Sequence, residues 1–109
     1  MGVAEQFYDA FMVRDHYTMG LLYAENATFS DPVFPLLNAH GARTMWAMLL
    51  SGAEDVGIEV NILEDGPSRA RVQWVARYAF GASGRRVVNR ISTEMAIADG
   101  RIVRQVDRF

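Results

Sequence analysis

The chain has 109 residues, of which 50 % are hydrophobic and 22 % are charged, a composition that predicts one ordinary globular domain over residues 1–109. It contains no cysteine, which excludes thiol catalysis and cysteine-bound metal centres and fits a reducing compartment. Because the apolar runs are short and no targeting pattern is seen at the N-terminus, we expect a cytoplasmic protein. The two histidines, His16 and His40, are too far apart to form a metal pair on one helix, and the sequence has no nucleotide or redox motif. We therefore expect no cofactor and no metal. The apolar runs are too short to cross a membrane, so no membrane partner is expected either.

The net charge of −2 conceals a division between the two parts of the chain. Residues 1–66 carry two arginines against ten acidic side chains, a balance of −8, and residues 67–109 carry nine arginines against three, a balance of +6. All eleven basic residues are arginine, the cation best suited to ion pairs and packed interfaces. Self-association explains this pattern as well as a nucleic-acid surface does. Nucleic acid is not expected, because no recognition motif is present.

The first half of the chain is predicted to be mostly helical. Apolar residues at helical spacing predict a first helix over residues 2–14. Asp15 is predicted to cap a second, short helix, which ends in a turn at Glu25-Asn26. A third helix is predicted from Gly41 to about Ser51.

Two short segments connect the second and third predicted helices. Residues 27–31 alternate and predict a short strand, which Pro32 ends because proline has no N–H to donate to a sheet. Residues 32–38 are predicted to form a loop.

The rest of the chain alternates apolar and polar residues with period two, which predicts four long strands. Turns are predicted at residues 64–67, at Gly81–Gly84 and at Asp99-Gly100. The predicted inward residues are Ala70, Val72, Trp74, Ala76, Tyr78 and Phe80; Val87, Asn89, Ile91, Thr93, Met95 and Ile97; and Val103, Gln105, Asp107 and Phe109. The predicted outward residues are Arg69, Arg71, Arg77, Arg86, Arg90, Arg104 and Arg108, with Val75, Ala79, Val88, Ile102 and Val106 between them. Three helices followed by such strands indicate an α+β domain with an antiparallel sheet wrapped around the helices.

The order of these elements resembles a known superfamily over nearly the whole chain. The resemblance is carried by five segments: Phe7-Tyr8-Asp9-Ala10-Phe11, Leu22 to Phe34, Met45-Trp46-Ala47-Met48-Leu49, Gly84-Arg85-Arg86 and Asp99-Gly100-Arg101-Ile102-Val103. The chain is similar to the SnoaL-like and ketosteroid-isomerase-like branch of the nuclear transport factor 2-like superfamily. The resemblance implies a cone-shaped α+β barrel, with a curved sheet around a deep, mostly apolar pocket, and a dimer through the outer sheet face. The superfamily contains isomerases, cyclases, hydrolases and non-catalytic domains, so the fold alone does not define an activity.

The resemblance singles out two carboxylates as catalytic candidates. Asp31 falls where ketosteroid isomerases keep their general base, with Phe34 and Trp46 expected beside it. Asp107 resembles the pocket aspartate of limonene-epoxide-hydrolase-like members, although the positions of that family's arginine and second aspartate are not matched here. The two are predicted to form an acid/base pair. The structural alternatives are that Asp31 caps the loop after it and that Asp107 pairs with an arginine.

The predicted ligand-binding residues come from the inward pattern and from the resemblance. The oxyanion tyrosine of ketosteroid isomerases falls on Phe7, which has no hydroxyl, and their partner acid falls on or next to Thr93. Inward polar residues either bond one another or face a ligand, and inward aromatic residues line either a pocket or the core. His40 is expected near the pocket entrance. The predicted binding set is Phe7, Tyr8, Phe34, Trp46, Trp74, Tyr78, Asn89, Thr93 and Gln105.

These observations favour a protein that binds a hydrophobic, oxygenated small molecule, with Asp31 as general base of a cofactor-independent isomerase, cyclase or hydrolase. The alternative is a non-catalytic ligand-binding, dimerisation or protein-interaction module. The half-apolar outer sheet face predicts a homodimer, with its arginines paired to Glu59 and Glu94 of either subunit.

Overall fold

The computed structural model describes residues 1–52, 55–80 and 82–109. Three helices and six strands lie in this part of the chain. In chain order they are α1 (Val3–Met12), α2 (His16–Leu21), β1 (Tyr23–Ser30), β2 (Leu37–Asn38), α3 (Ala39–Gly52), β3 (Gly57–Asp65), β4 (Arg69–Phe80), β5 (Arg85–Ala98) and β6 (Arg101–Arg108). The Phe80 side chain, predicted to point inward, and Gly81, predicted to begin a turn, lie outside the described part.

Helix α1 buries one apolar stripe, as its spacing predicts, and its N-terminus is capped from a distant strand. The Asp65 carboxylate, at the end of β3, accepts hydrogen bonds from the backbone N–H groups of Ala4 and Glu5, both at 3.0 Å. These are donors that the first turn of a helix leaves unpaired. A Cβ atom on Gly2 would overlap that carboxylate, so glycine is needed at the position before the helix. The cap fixes α1 against the sheet, where it packs on β3 and β4.

The connection between the first and third helices differs from the prediction. Asp15 caps α2 as expected, accepting a hydrogen bond from the Thr18 N–H at 3.1 Å. The predicted turn at Glu25-Asn26 is wrong, because β1 already begins at Tyr23 and carries both residues as exposed positions in a register shift. The predicted loop is also too long, since residues 37–38 pair with β1 as β2.

The six strands form one curved, open sheet in the order β2-β1-β6-β5-β4-β3. The pairs within β3 to β6 are antiparallel, as predicted, but β1 and β6 are parallel. The predicted antiparallel sheet is therefore confirmed for β3 to β6, and the parallel β1–β6 pair is an exception that the sequence did not indicate. Parallel pairing requires a long connection, and α3 and the three following strands provide it.

The predicted inward residues of β4 and β5 whose side chains the structure describes are buried or half-buried, and the arginines between them are exposed. The alternation fails at the start of β6. The register between β5 and β6 shifts after Ala96, so that Ile97 pairs with Ile102 while Ala96 pairs with Arg104. This β-bulge adds one residue to β6 and reverses its parity. Ile102, predicted on the outer face, is completely buried.

The buried apolar residues of α1, α3 and the inner sheet face form one core cluster. Tyr8, Tyr23, Phe7 and Phe29 are its largest fully buried side chains. In the part of the chain that the structure describes, no helix has the length and apolar character needed to cross a membrane.

Candidate functional site

A cavity of about 370 Å³ lies between helices α1 and α3 and the inner face of β4, β5 and β6. It is mostly apolar, and Asp31 and Asp107 are the acidic residues in its wall. A larger depression of about 540 Å³ lies along β3, β4 and β5 and is lined by Glu59, Gln73 and Arg90 among others. We take the smaller cavity as the candidate site because it combines apolar rings with carboxylates, the usual make-up of a small-molecule pocket. Its lining is Phe11, Asp31, Met45, Trp46, Leu49, Leu50, Val56, Trp74, Ala76, Tyr78, Asn89, Ile91, Asp107 and Phe109.

Three aromatic rings build one corner of the cavity. The ring centroid of Phe11 on α1 lies 5.2 Å from that of Trp46 on α3 and 5.3 Å from that of Trp74 on β4, and both pairs are edge to face. This is the favoured geometry for aromatic pairs. The indole N–H groups of both tryptophans are used inside the protein: Trp46 donates to the Tyr23 hydroxyl at 2.9 Å and Trp74 to the Thr93 hydroxyl at 2.8 Å. The indoles therefore offer the cavity apolar ring surface rather than a hydrogen-bond donor.

A buried hydrogen-bond network connects both tryptophans to Asp107. On one side the Tyr23 hydroxyl donates to Gln105 Oε1 at 2.6 Å, and Gln105 Nε2 donates to Asp107 Oδ1 at 3.3 Å. On the other side the Thr93 hydroxyl donates to the same Oδ1 at 2.8 Å. Asp107 Oδ2 accepts no hydrogen bond from the described residues, which leaves that oxygen available to a ligand.

The environment of Asp107 makes it a group that titrates near neutral pH. Its residue is only 4 % exposed, and desolvation raises the pKa of its carboxyl to about 7. The hydrogen bonds from Thr93 and Gln105 lower that pKa, and the nearby charge of Asp31 raises it. The alternative that Asp107 pairs with an arginine is not found among the described residues.

Asp31 follows the end of β1, caps the turn after it, as the structural alternative predicts, and also lies in the cavity wall. Its Oδ1 accepts the N–H groups of Val33 at 2.8 Å and Phe34 at 2.6 Å, so the carboxylate holds the turn after it. The same side chain also lines the cavity together with Asp107.

Tyr78 and Asn89 line the cavity on neighbouring strands. Asn89 Nδ2 donates to the Tyr78 hydroxyl at 3.3 Å. Because that oxygen is the acceptor in this bond, the phenolic proton of Tyr78 remains available to a ligand oxygen.

Five members of the predicted binding set lie outside the cavity wall. Phe7 is fully buried in the core, Thr93 and Gln105 lie behind Asp107 as its hydrogen-bond donors, and Phe34 is 41 % exposed on the turn held by Asp31. The hydroxyl of buried Tyr8 lies beside Thr93 without completing a well-formed hydrogen bond.

His40, expected at the pocket entrance, lines a separate depression with His16 between α2 and α3. Within the described residues, no three acidic or histidine side chains gather to hold a metal ion.

Several cavity and network residues escaped the sequence analysis. The sequence predicts Phe11 only as part of an apolar helix face. It does not single out Leu50, although helical spacing puts this residue one turn beyond Trp46. Tyr23 was assigned to a helix, and its inward direction depends on β1 beginning earlier than predicted.

The fold and the cavity together define the nuclear transport factor 2-like, ketosteroid-isomerase-like class. Residues 4–105 match the family model of the SnoaL-like domain, and the chain belongs to this family. No curated protein sequence matches the chain.

Solved structures share the fold at low sequence identity. A Catenulispora acidiphila protein with a ketosteroid isomerase-like fold, in complex with trimethylamine, has a TM-score of 0.81 and 13 % identity, covering 98 % of this chain and 84 % of the other. A proposed SnoaL-like polyketide cyclase from Mesorhizobium loti has a TM-score of 0.77 and 14 % identity, with 98 % and 96 % covered. An LEH-like epoxide hydrolase from M. tuberculosis has a TM-score of 0.71 and 21 % identity, with 98 % and 79 % covered. At these identities the likeness establishes a common fold and no common activity.

Proposed function

We propose that the cavity binds a hydrophobic small molecule and that Asp107 transfers a proton to or from it. The observation that carries the proposal is the position of this carboxyl: it is buried in the cavity wall, fixed through one oxygen, and has a pKa of about 7. A group that titrates near the working pH can both accept and release a proton, which general acid–base catalysis requires. Neighbours of the same fold are described as a proposed polyketide cyclase and an epoxide hydrolase, and one binds trimethylamine, so small-molecule chemistry is compatible with the fold.

We assign the proton transfer to Asp107 and a supporting role to Asp31. The Oδ1 atom of Asp31 is held by two backbone N–H groups of the following turn, which fixes that carboxylate at the cavity. Its negative charge disfavours a second charge nearby and so helps to keep Asp107 protonated. This division reverses the sequence-based expectation that Asp31 is the base.

The ligand's oxygen is assigned to Tyr78. Proton removal next to a carbonyl needs a donor for the oxygen that becomes negative, and the free phenolic proton of Tyr78 supplies one. Ionised Asp107 takes the proton from carbon, Tyr78 stabilises the enolate, and the carboxylic acid then returns the proton to the same or a neighbouring carbon. We therefore propose a cofactor-independent isomerase or cyclase.

The proposal is tested by hydrogen exchange into the ligand, which requires no knowledge of the final product. Steroid ketones, aromatic polyketides and other hydrophobic ketones are first screened for an increase in melting temperature, because a ligand of the folded state raises it. Those that bind are then incubated in D₂O with the protein and followed by proton NMR. We expect deuterium to enter next to the carbonyl with the wild-type protein and at least about 100-fold more slowly with Asp107→Asn.

Asp9→Asn is the matched control, because it removes the same charge from an exposed position on α1 and is expected to leave the exchange rate unchanged. Binding without exchange in any compound would favour the alternative of a non-catalytic ligand-binding protein. No binding by any of these ketones would contradict the proposed carbonyl substrate.

The outer sheet face supports a second, independent proposal, a homodimer. Val88 of β5 is 53 % exposed on this face, and both β5 and its neighbour β4 are rich in arginine. Arg77 pairs with Glu59 at 2.7 Å and Arg108 with Glu94 at 3.8 Å within the chain, so part of the expected charge pairing is satisfied without a partner. A face that is half apolar favours association through its uncharged positions. We also propose a cytoplasmic location, which the short apolar runs and the lack of cysteine favour.

A further inference from the structure

The candidate cavity contains two carboxylates and no positive charge. Asp31 and Asp107 line it, and its described lining includes no arginine or histidine. The ion pairs among the described residues lie elsewhere, on exposed side chains: Arg69 with Glu64, Arg77 with Glu59 and Arg108 with Glu94. Nearby carboxylates without a cation disfavour each other's charge, and a buried carboxylate is costly until it is paired. The cavity therefore has a deficit of positive charge that a ligand can supply.

The remainder of the wall suits a cation with apolar substituents. Phe11, Trp46, Trp74 and Tyr78 all line the cavity, and Phe11 contacts both indoles. Because both indole N–H groups are already bonded inside the protein, what these side chains offer is ring surface. Aromatic rings attract cations through their negative faces, with tryptophan the strongest. A hydrated metal ion or a simple sugar finds little to bond to on such a wall.

We propose that the ligand of this cavity carries a positively charged nitrogen with alkyl or aryl substituents, bound between the aromatic rings and the carboxylates of Asp31 and Asp107. The inference rests on the proposed function, since it assigns a substrate class to the same cavity. It also assigns a role to the second carboxylate, since Asp31 binds the cation while Asp107 exchanges protons.

The pH dependence of binding follows from the groups around Asp107. A fixed cation prefers the ionised carboxylate, so its affinity rises with pH as Asp107 loses its proton and is constant once ionisation is complete. A neutral ligand that accepts a hydrogen bond from the protonated acid behaves in the opposite way. Burial raises the pKa of both Tyr8 and Tyr23, which keeps these neighbours neutral over the same range. The titratable and charged groups packed around Asp107 are Asp31, Tyr8, Tyr23, Tyr78 and, beyond Tyr23, Arg43.

The test compares benzyltrimethylammonium with neopentylbenzene, its uncharged isostere in which carbon replaces nitrogen. The ammonium cannot titrate, so any pH dependence belongs to the protein. Binding is followed through the fluorescence of Trp46 and Trp74, both in the cavity wall. At pH 8 we expect the cation to bind at least about tenfold more tightly than the isostere, and to lose about tenfold in affinity between pH 8 and pH 6.

Two variants test which of the two carboxylates binds the cation. Asp107→Asn keeps an oxygen to accept the bonds from Thr93 and Gln105. It is expected to weaken binding of the cation at least about tenfold and to abolish the pH dependence of that binding. The affinity for the isostere is expected to change less than about twofold. Asp31→Asn keeps the oxygen that holds the turn and is expected to weaken the cation as well. Asp9→Asn, exposed on α1, is the control for net charge and is expected to change neither ligand.

Equal affinity of the cation and the isostere, or tighter cation binding at pH 6, overturns the inference. If the isostere binds and the cation does not, the cavity and the proposed function stand and only the charge assignment fails. If neither binds and the ketone screen is also negative, both fail. Should Asp107→Asn not fold, the wild-type pH profile and Asp31→Asn decide the question.

Discussion

Replacing Asp107 with asparagine is predicted to stabilise the protein increasingly as the pH rises. In the folded protein the pKa of this carboxyl is about 7, against 3.8 for an ordinary aspartate, because burial disfavours its charge. A carboxyl with a raised pKa binds its proton more tightly in the folded than in the unfolded state. The wild type therefore loses stability as the pH rises from about 4 to about 7, and loses no more above that.

The size of the effect follows from the two pKa values. A separation of about three pH units at 1.36 kcal/mol per unit corresponds to about 4 kcal/mol, a large part of the 5 to 15 kcal/mol that stabilises a typical domain. Asparagine cannot ionise and keeps an oxygen for the bonds from Thr93 and Gln105. Any cost of its amide group is independent of pH.

Urea unfolding of both proteins at each pH from 4 to 8 measures this difference, and all other titrating groups cancel in the comparison. The free energy of unfolding of the variant, relative to the wild type, is expected to rise by about 4 kcal/mol between pH 4 and pH 8, most steeply below pH 7. A constant difference would mean that Asp107 is not desolvated, and a falling one would mean that a cation of the protein stabilises its charge.

Five further substitutions, two of them controls, test the network and the sheet face. Thr93→Val leaves the Trp74 N–H without its acceptor, so urea unfolding should detect a loss of about 1 to 3 kcal/mol; because Thr93 also lowers the pKa of Asp107, carbon-13 NMR of that carboxyl should record a higher pKa. Tyr23→Phe breaks the hydrogen-bond chain from Trp46 to Gln105 and should lower the free energy of unfolding by about 1 to 3 kcal/mol. Tyr8→Phe removes a buried hydroxyl without a well-formed hydrogen bond and should be neutral or stabilising. Equal losses of stability in the two variants would refute this account of the network. Val88→Asp should convert the proposed dimer to a monomer in sedimentation equilibrium, while Ala98→Asp, at the exposed end of the same strand, should not.

Much of the fold could be predicted because the sheet has one buried face. Alternation with period two fixes which residues of β4 and β5 point inward, and a shift by one residue would expose every one of them. The prediction failed where long-range pairing overrides local signals. Glu25 and Asn26 look like a turn, yet β6 provides hydrogen-bonding partners to β1 on either side of them. The bulge in β6 likewise depends on how β5 pairs with it, so Ile102 was placed on the wrong face.

The candidate site could be predicted as a set of inward residues but not as an arrangement. Parity alone places Thr93, Gln105 and Asp107 on the same face, and they are neighbours in the structure. No pattern in the sequence indicates that the Trp74 N–H donates to Thr93, or that the Tyr23 hydroxyl donates to Gln105, 82 positions along the chain. Both contacts join neighbouring strands, β4 with β5 and β1 with β6, so they follow from which strands pair and in which register.

The roles that we propose for the two aspartates follow from solvent exposure and hydrogen bonding rather than from the residue type. Asp31 follows a strand end, and two backbone N–H groups of the next turn hold one of its oxygens in place. Asp107 lies on the buried face of β6, in a cavity wall that also contains Trp46 and Trp74, and there desolvation outweighs its two hydrogen bonds and raises its pKa. Two carboxylates in one pocket whose environments differ in this way divide the work of a fixed charge and a proton carrier. A sequence that places an aspartate at a strand end before proline identifies the first role readily; the second needs the burial that only the assembled sheet provides.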